Sequence, residues 1–230
     1  MLLYQEIKQY ITELIDDKQQ GVKLPSERQL LDKFNSSRIT VREALFRMET
    51  EGVIYRQNRK GWFVSPERLR WNPVKKVNYY QLATEQGFKP NTQLVTIDDG
   101  NTPKVVCQAF GQENNDLYWK VYRVRSLDTR PVMLEEIYCQ KEMFPQLNNK
   151  ALEGSITTLF SEDYNIAICS EQSSINITAL PDDKAELLNL NAGAPCIKII
   201  RKRFCQKKTL IDYNVEYWVH GAIEIEVESY

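Results

Sequence analysis

The chain has 230 residues, of which 42% are hydrophobic and 27% are charged, and its formal net charge is −1. This composition is typical of a folded globular protein and excludes an intrinsically disordered chain, and the length suits one large domain or two smaller ones. Because no apolar run approaches the roughly 18–20 residues that span a bilayer, and the N-terminus lacks the layout of a signal peptide, we expect a cytoplasmic protein without a membrane segment.

Three helices are predicted at the N-terminus. Apolar residues recur at helical spacing in residues 2–18, which predicts an amphipathic first helix. Ser26, with Gln29 three residues later, is a capping box that starts a short second helix. A third helix follows the polar turn at residues 35–37 and ends at Gly52, which can supply a left-handed cap. Its predicted buried stripe is Val41, Ala44, Leu45 and Met48.

A β-hairpin with a basic loop follows the third helix. The segments "VIYR" and "WFV" read as strands on either side of "QNRKG". Three helices, with a short turn between the second and third, and then a hairpin predict a winged helix-turn-helix. Residues 28–70 contain ten Lys and Arg against five Asp and Glu, so this part of the chain is suited to a polyanion.

Five basic side chains are candidate DNA contacts from their positions alone. Arg38 and Arg42 lie within about 40° of each other on a helical wheel, beside the apolar stripe, and project from the first turns of the recognition helix. Arg28 opens the preceding helix and can reach a phosphate. Arg59 and Lys60 at the hairpin tip suit a wing on the adjacent groove. The alternative is that such arginines are solvated or paired with neighbouring glutamates.

The N-terminal motifs resemble a known DNA-binding domain. "LPSERQLLDKFNSSRITVREAL" and "EGVIYRQNRKGWFV" are similar to GntR-type bacterial transcription regulators, over about residues 2–64. The resemblance implies contacts to DNA from Arg28, Ser37, Arg38, Thr40, Arg42 and Gly61. Ser37 can instead serve only as a helix cap, and Thr40 stays open between contact and no contact. For Arg47, on the far side of the wheel, the alternative that it is only solvated or paired with a glutamate is favoured.

The rest of the chain is predicted to form a second domain. Residues 65–78 contain two prolines and little apolar pattern, and are predicted as a linker between a domain at 1–64 and one at 79–230. Mostly antiparallel strands with a few crossing helices predict an α+β sensor domain. The predicted strands are "YWKVYRVRS", "VMLEEIYC", "SSINITA", "CIKIIRKRF", "LIDYNVEYWV" and "AIEIEVES", with helices at residues 155–164 and 181–190.

Two arginines in one predicted strand indicate an anion site. Arg123 and Arg125 leave the same face of the sheet, where an unpaired guanidinium group is costly. Glu135 on the neighbouring strand can pair with one of them; alternatively, the two arginines hold a phosphate or carboxylate. Ser155 starts a helix, where free amides favour an anion, although it can also be an ordinary cap. The combination favours an anion pocket.

The second domain resembles a ligand-binding family. "YRVRSLDTRPVMLEEIYC", "GSITTLF" and "LLNLNAGAPCIKIIR" are similar to the UTRA domain of the HutC branch of GntR regulators, whose fold is related to that of chorismate lyase. The resemblance implies an acidic effector, often a phosphosugar. Thr157 stands where the family has tyrosine, and "EYWVHG" departs from the usual Tyr-Arg, which leaves room for a smaller acidic ligand. The implied effector-binding residues are Arg123, Arg125, Glu135, Ser155, Thr157, Asp212 and Trp218.

A narrower resemblance suggests the ligand. "NSSRITVREAL", "RKGWFVSPERL", "GFKPNT" and "VEYWVHGAIEIEVES" are similar to regulators of phosphonate utilisation in this branch. Those proteins handle 2-aminoethylphosphonate, so the resemblance implies a phosphonate bound by Arg123, Arg125 and Ser155. Its ammonium group would meet Glu135 or Asp212.

The sequence therefore predicts a ligand-responsive transcription regulator that binds operator DNA as a homodimer and is not an enzyme. Neither a cofactor nor a metal site is expected, because no triad, paired carboxylates or Gly-rich cofactor loop is visible, and His220 has no ligating companion. The five widely spaced cysteines are expected to be structural thiols. A DNA-binding protein with a degenerate sensor domain and an enzyme of lyase-like fold are the alternatives. The sequence leaves open the effector, the operator and whether the protein represses or activates.

Overall fold

The computed structural model describes residues 2–16, 21–57, 59–75, 78–113 and 117–228. The predicted end of the first helix at residues 17–18, one residue of the hairpin loop at 58, and residues 76–77 of the predicted linker lie outside the described residues. In the described part of the chain, no helix is both long and apolar enough to cross a membrane.

The N-terminal unit is a winged helix-turn-helix, as predicted. Ser26 forms the predicted capping box with Gln29, and Gly52, with a φ of 75°, lies directly after the C-cap of the third helix. The predicted stripe of the third helix is buried in one core with side chains from the other elements. The elements are α1 (Leu3–Asp16), α2 (Glu27–Phe34), α3 (Arg38–Thr50) and an antiparallel hairpin of β1 (Ile54–Gln57) and β2 (Gly61–Val64).

The C-terminal unit is built on a six-stranded antiparallel sheet, which confirms the predicted α+β class. Val121 and Val124 point to opposite faces of one strand and join different apolar clusters, so both faces of the sheet are covered at this strand. In spatial order the strands are β4 (Pro90–Asp98), β5 (Tyr118–Leu127), β6 (Arg130–Gln140), β9 (Leu210–Val219), β8 (Pro195–Phe204) and β7 (Ser170–Ala179). The helices are α4 (Tyr79–Glu85), α5 (Lys104–Ala109), α6 (Ile156–Tyr164) and α7 (Asp182–Ala185), with a 3₁₀ turn at Leu147–Asn149.

Two predicted elements are shorter than expected. The helix predicted at residues 181–190 is helical only in α7, and Asn189 has a left-handed φ of 55° that a continuing helix cannot contain. The last predicted strand is reduced to β10 (Ile223–Ile225). The sequence missed β4, α4 and α5 altogether. β4 is an edge strand in which Thr92 is the buried residue, so it carries no hydrophobic alternation to detect.

A short strand lies inside the predicted linker. β3 (Leu69–Trp71) pairs in parallel with β10, and the Leu69 amide donates to the Ala222 carbonyl at 3.0 Å. The side chains of Leu69 and Trp71 are buried in the core of the C-terminal unit. This part of the predicted linker is therefore a strand of the second unit, because its two apolar residues alternate and pack. The domain limits at 1–64, 65–78 and 79–230 otherwise stay a prediction.

The C-terminal end of α3 contacts the second unit. The last carbonyls of a helix have no partner within the helix. Here the Arg68 guanidinium donates to the Glu51 carbonyl at 2.9 Å, and Nε2 of His220 donates to the Thr50 carbonyl at 2.8 Å. The segment before β3 and the turn after β9 therefore both hold the end of α3. His220 thus lies at the contact between the end of α3 and the second unit.

Candidate functional site

The first turn of α3 carries exposed polar side chains together with one exposed apolar side chain. The Ser37 hydroxyl accepts a hydrogen bond from the Thr40 amide at 3.2 Å and lies 2.9 Å from the Thr40 hydroxyl. Of the two serines predicted as alternative caps of this helix, Ser36 and Ser37, it is Ser37 that caps it. Arg38 is exposed, and Ile39 is 79% exposed, although isoleucine is usually buried. This turn can therefore offer both charged and apolar groups to a groove.

Arg42 is exposed but is oriented from the preceding helix. Its Nε donates to Glu27 at 3.1 Å, and 59% of its side-chain surface remains exposed. Arg28 is exposed as well. Arg47 is bound to Glu43 at 2.8 Å, which is one of the two arrangements, solvated or paired with a glutamate, favoured for it from the sequence.

The hairpin tip carries the remaining predicted DNA contacts. Arg59 and Lys60 are both exposed. Gly61 has a φ of 105°, in the region that favours glycine. The backbone conformation therefore explains a glycine at this position without any contact to DNA. Basic side chains on a wing can reach phosphates, whereas base edges are read from the recognition helix.

The C-terminal unit contains a cavity of about 760 Å³. Small-molecule sites usually have about 300–1,000 Å³. Five predicted effector residues line it, namely Arg125, Glu135, Ser155, Thr157 and Trp218. Residues that sequence reasoning missed also line it, among them Trp71, Tyr79, Glu171, Arg201, Arg203 and Glu216.

Glu135 is the centre of a buried charge network. Its Oε2 accepts from Arg123 and from Arg125, the latter at 3.1 Å from Nε, and its Oε1 accepts from Asn214 at 2.6 Å. Burial alone would raise the pKa of Glu135, but Arg123 and then Arg125 outweigh it and hold the pKa well below its usual value. The pairing that the sequence left open as an alternative is therefore present, with both arginines.

Arg123 is not among the residues that line the cavity, and its direct contact with an effector stays a prediction. Its side chain is 0% exposed. Its Nη1 donates to the carbonyls of Leu152 at 2.7 Å and Gly154 at 2.9 Å, which lie just before the start of α6. Arg123 thus links the sheet to the turn that precedes Ser155. It is a positioning residue for that part of the cavity wall.

The start of α6 forms one wall of the cavity. The Ser155 hydroxyl accepts from the Thr158 amide at 3.3 Å and lies 3.2 Å from the Thr157 hydroxyl. Ser155 is thus the N-cap, and the first amides of a helix are free to bind an anion. Trp218 donates from its indole nitrogen to Glu216 at 2.7 Å.

A second pair of arginines on β8 lies at the cavity. Arg201 binds Glu216 at 2.6 Å and Glu171 at 2.7 Å, and its guanidinium lies 4.4 Å from the centre of the Trp71 ring. Arg203 lines the same wall. The sequence carried the signal for this pair, because "RKR" in a strand has the same alternation as "RVR" in β5. Trp71 and Tyr79 gave no comparable signal, since they lie at the predicted linker.

Asp212 is also not among the residues that line the cavity, and its contact with an effector stays a prediction. It is fully buried and its Oδ2 accepts from Arg203 at 3.3 Å, while its Oδ1 has no hydrogen-bond partner among the described residues. Burial raises the pKa of Asp212 to about 6, although Arg203 acts in the opposite direction.

This raised pKa predicts a pH-dependent difference between the protein and its Asp212→Asn variant. A carboxyl whose folded pKa lies above its unfolded value stabilises the fold below the unfolded pKa, and that contribution is lost as the pH rises through the folded pKa. The free energy of unfolding of the wild type, relative to the variant, should therefore fall by up to about 3 kcal/mol between about pH 4 and pH 7. Urea titrations at several pH values measure it; a pH-independent difference would contradict it.

Comparison with known proteins identifies both units. The family model for bacterial regulatory proteins of the gntR family matches residues 3–64, and that for the UTRA domain matches residues 85–224. The transcriptional repressor NagR of Bacillus subtilis is 25% identical over 92% of this chain and 88% of its own. A probable fructoselysine utilization operon repressor of Escherichia coli is 27% identical over 99% and 95%. PhnF of Mycobacterium smegmatis has the same fold, with a TM-score of 0.68 at 21% identity over 97% of this chain and 98% of its own.

Proposed function

The chain belongs to the GntR family of transcription regulators, in the HutC-type branch that carries a UTRA effector-binding domain, and from this we propose that it binds operator DNA through α3 and responds to a small acidic effector in the cavity of the second unit. The observation that carries the proposal is the joint presence of an exposed, arginine-bearing first turn on α3 and an arginine-lined cavity.

The DNA-binding part of the proposal rests on what α3 exposes. Arg38 and Arg42 can bind guanine edges in the major groove, and Ile39 can contact a thymine methyl group. Arg28, Arg59 and Lys60 would contact phosphates, which position the protein without reading sequence. Ser37 and Thr40, whose hydroxyl groups are hydrogen-bonded to each other, would approach the DNA backbone at the start of α3.

Charge balance favours an effector that is not purely anionic. Arg125 is bound to Glu135 and Arg201 to Glu216, so an anion that draws either arginine away would remove one of the cationic partners of a buried carboxylate. A zwitterion can replace both members of such a pair. A phosphonate would accept hydrogen bonds from Arg125, Ser155 and the first amides of α6. An ammonium group would donate to Oε2 of Glu135 in place of Arg125, beside the bonds from Arg123. We propose 2-aminoethylphosphonate as the first ligand to test.

A continuous set of contacts runs from the cavity to α3. The guanidinium of Arg201 stacks on Trp71 of β3, and Arg68, just before β3, donates to the end of α3. A ligand that changes the position of Arg201 would thus move β3, and with it the helix that reads DNA. This route supports effector control of operator binding through the segment that the sequence assigned to the linker.

A homodimer is proposed from the exposed edge of the sheet. β7 is an edge strand, and its Ile175 and Ile177 are 38% and 80% exposed. An edge strand with exposed apolar residues is a ready template for pairing with another chain. Two copies would present two α3 helices to half-sites about 34–36 Å apart in a palindromic operator.

Replacing Arg125 by alanine is expected to weaken binding of 2-aminoethylphosphonate strongly. The guanidinium is 10% exposed, lines the cavity and can form charge-assisted hydrogen bonds to the phosphonate, so its loss should weaken binding by about tenfold to a hundredfold or more. Isothermal titration calorimetry of the full chain measures this.

Lys202→Ala is the matched control, because Lys202 lies on β8 between the two cavity arginines but on the opposite face. The Lys202→Ala variant should bind 2-aminoethylphosphonate with the affinity of the wild type. Titration with phosphosugars distinguishes a protein that binds a different acidic effector from one that binds no effector. Absence of heat with every phosphonate and phosphosugar, together with intact DNA binding, would favour a degenerate sensor domain.

A further inference from the structure

The turn between β5 and β6 contacts the β1–β2 hairpin of the N-terminal unit. The guanidinium of Arg130 lies over the Tyr55 ring of β1, 4.0 Å from its centre. Tyr55 is 8% exposed and also stacks on Phe63 of β2, with 5.6 Å between the ring centres. This contact is separate from the one that Arg68 and His220 make with the end of α3. The C-terminal unit therefore contacts the hairpin as well as the recognition helix.

The charge of Arg130 has no counter-charge at this contact. Both of its Nη atoms are buried and have no hydrogen-bond partner among the described residues. Burial lowers the pKa of Arg130, and the neighbouring Tyr55 opposes this only in part. A cation over an aromatic face is attracted by the ring, but a buried charge without hydrogen-bonded partners costs more free energy than that attraction supplies. Packing therefore closes the contact, and the buried charge opposes its closure.

The turn that presents Arg130 is strained. Leu127 pairs with Arg130, so Asp128 and Thr129 form a two-residue hairpin loop, with left-handed φ values of 49° and 76°. Such a loop favours glycine or asparagine at these positions, and a β-branched threonine there is an outlier. The Asp128 carboxylate accepts a hydrogen bond from the Lys89 amide at 2.9 Å, which fixes one side of the turn. Strain of this kind is typical of segments that switch between two arrangements.

The base of the same turn reaches the cavity. Arg125 of β5 lies 4.6 Å from the centre of the Tyr79 ring, and both residues line the cavity. The Tyr79 hydroxyl donates to the Ser126 carbonyl at 3.0 Å. The pairing of β5 with β6 shifts register between Arg125 and Ser126, and a bulge bends its strand. A change in the position of Arg125 would therefore reach the turn within a few residues.

We propose that Arg130 and Tyr55 form a metastable latch between the C-terminal unit and the β1–β2 hairpin. The latch is closed by packing of the guanidinium on the ring, and it opens because the buried charge regains water. Opening frees the hairpin, with Arg59 and Lys60 at its tip, from the C-terminal unit. A role of the latch in operator binding rests on the proposed function, whereas the latch itself does not.

Hydroxyl-radical footprinting of the full-length protein tests the latch, because the rate at which a tyrosine side chain is oxidised follows its exposure to solvent. In Arg130→Met the new side chain can still pack on Tyr55 but carries no charge. Oxidation of Tyr55 should therefore slow by about threefold or more relative to the wild type, as the open population falls. In Arg130→Ala both the charge and the packing are lost, and oxidation of Tyr55 should become faster.

Tyr138 is the internal control for this measurement. It is 2% exposed in the core of the C-terminal unit, so its oxidation should stay unchanged in both variants. The proposal requires opposite changes at Tyr55. Faster oxidation in both variants would mean that the guanidinium stabilises the contact, and unchanged rates would mean that Arg130 does not cover Tyr55; either result would overturn the proposal. The measurement uses neither operator nor effector, so its outcome is independent of whether the proposed function holds.

Discussion

Replacing Arg123 by alanine is expected to lower the free energy of unfolding by about 3–5 kcal/mol. Arg123 is fully buried, and its guanidinium is bound to Glu135 and to the carbonyls of Leu152 and Gly154. Alanine would leave both carbonyls without their donor and would remove one of the two arginines that compensate the buried Glu135. The start of α6 would lose its tie to the sheet.

Urea unfolding followed by circular dichroism measures this effect, and hydrogen exchange at the first amides of α6 should become faster. The exposed Arg70 is a control, since replacing it by alanine should change the stability by no more than about 0.5 kcal/mol. A loss below about 1 kcal/mol for Arg123→Ala would contradict the positioning role, because buried carbonyls that lose their donor cost more than that.

Replacing Arg38 by alanine is expected to weaken binding to the operator by about 1–3 kcal/mol, which is roughly 5–150-fold. Arg38 is exposed at the start of α3, where a side chain can bind a guanine edge bidentately. Fluorescence anisotropy with DNA selected from random oligonucleotides measures the affinity. Binding to scrambled DNA should change much less, because base contacts carry the specificity.

Arg47→Ala is the matched control on the same helix. Arg47 is bound to Glu43 and stacks on Tyr4, so its loss should leave operator affinity within about twofold. If Arg38→Ala weakens binding equally on operator and scrambled DNA and lowers the salt slope by about one unit, Arg38 contacts a phosphate instead of a base. An unchanged affinity would exclude Arg38 from the interface.

The elements that could be predicted are those whose pattern is local. The capping box at Ser26, the stripe of α3 and the alternating strands β5 and β6 each carry their signal within a few residues. The edge strand β4 and the short β3 could not be found in this way. β3 exists because β10, more than 150 residues later, pairs with it, and no local pattern contains that partner.

Part of the cavity lining could also be predicted from local sequence patterns. Arg125, Glu135 and Ser155 followed from strand alternation and a helix start, and they line the cavity. That Arg123 and Asp212 lie outside it depends on how deeply each strand position is buried, which alternation alone does not give. Arg201 could have been found, since it repeats the spacing of the first pair, but its carboxylate partners come from β7 and β9.

The central claim is that a ligand in the cavity changes the affinity for operator DNA, and one titration tests it directly. The dissociation constant of the operator complex is measured with and without saturating 2-aminoethylphosphonate, for the wild type and for Arg125→Ala. We predict a change of about 5–150-fold for the wild type and none for the variant. A wild type that binds the phosphonate in calorimetry but keeps the same operator affinity would contradict the claim.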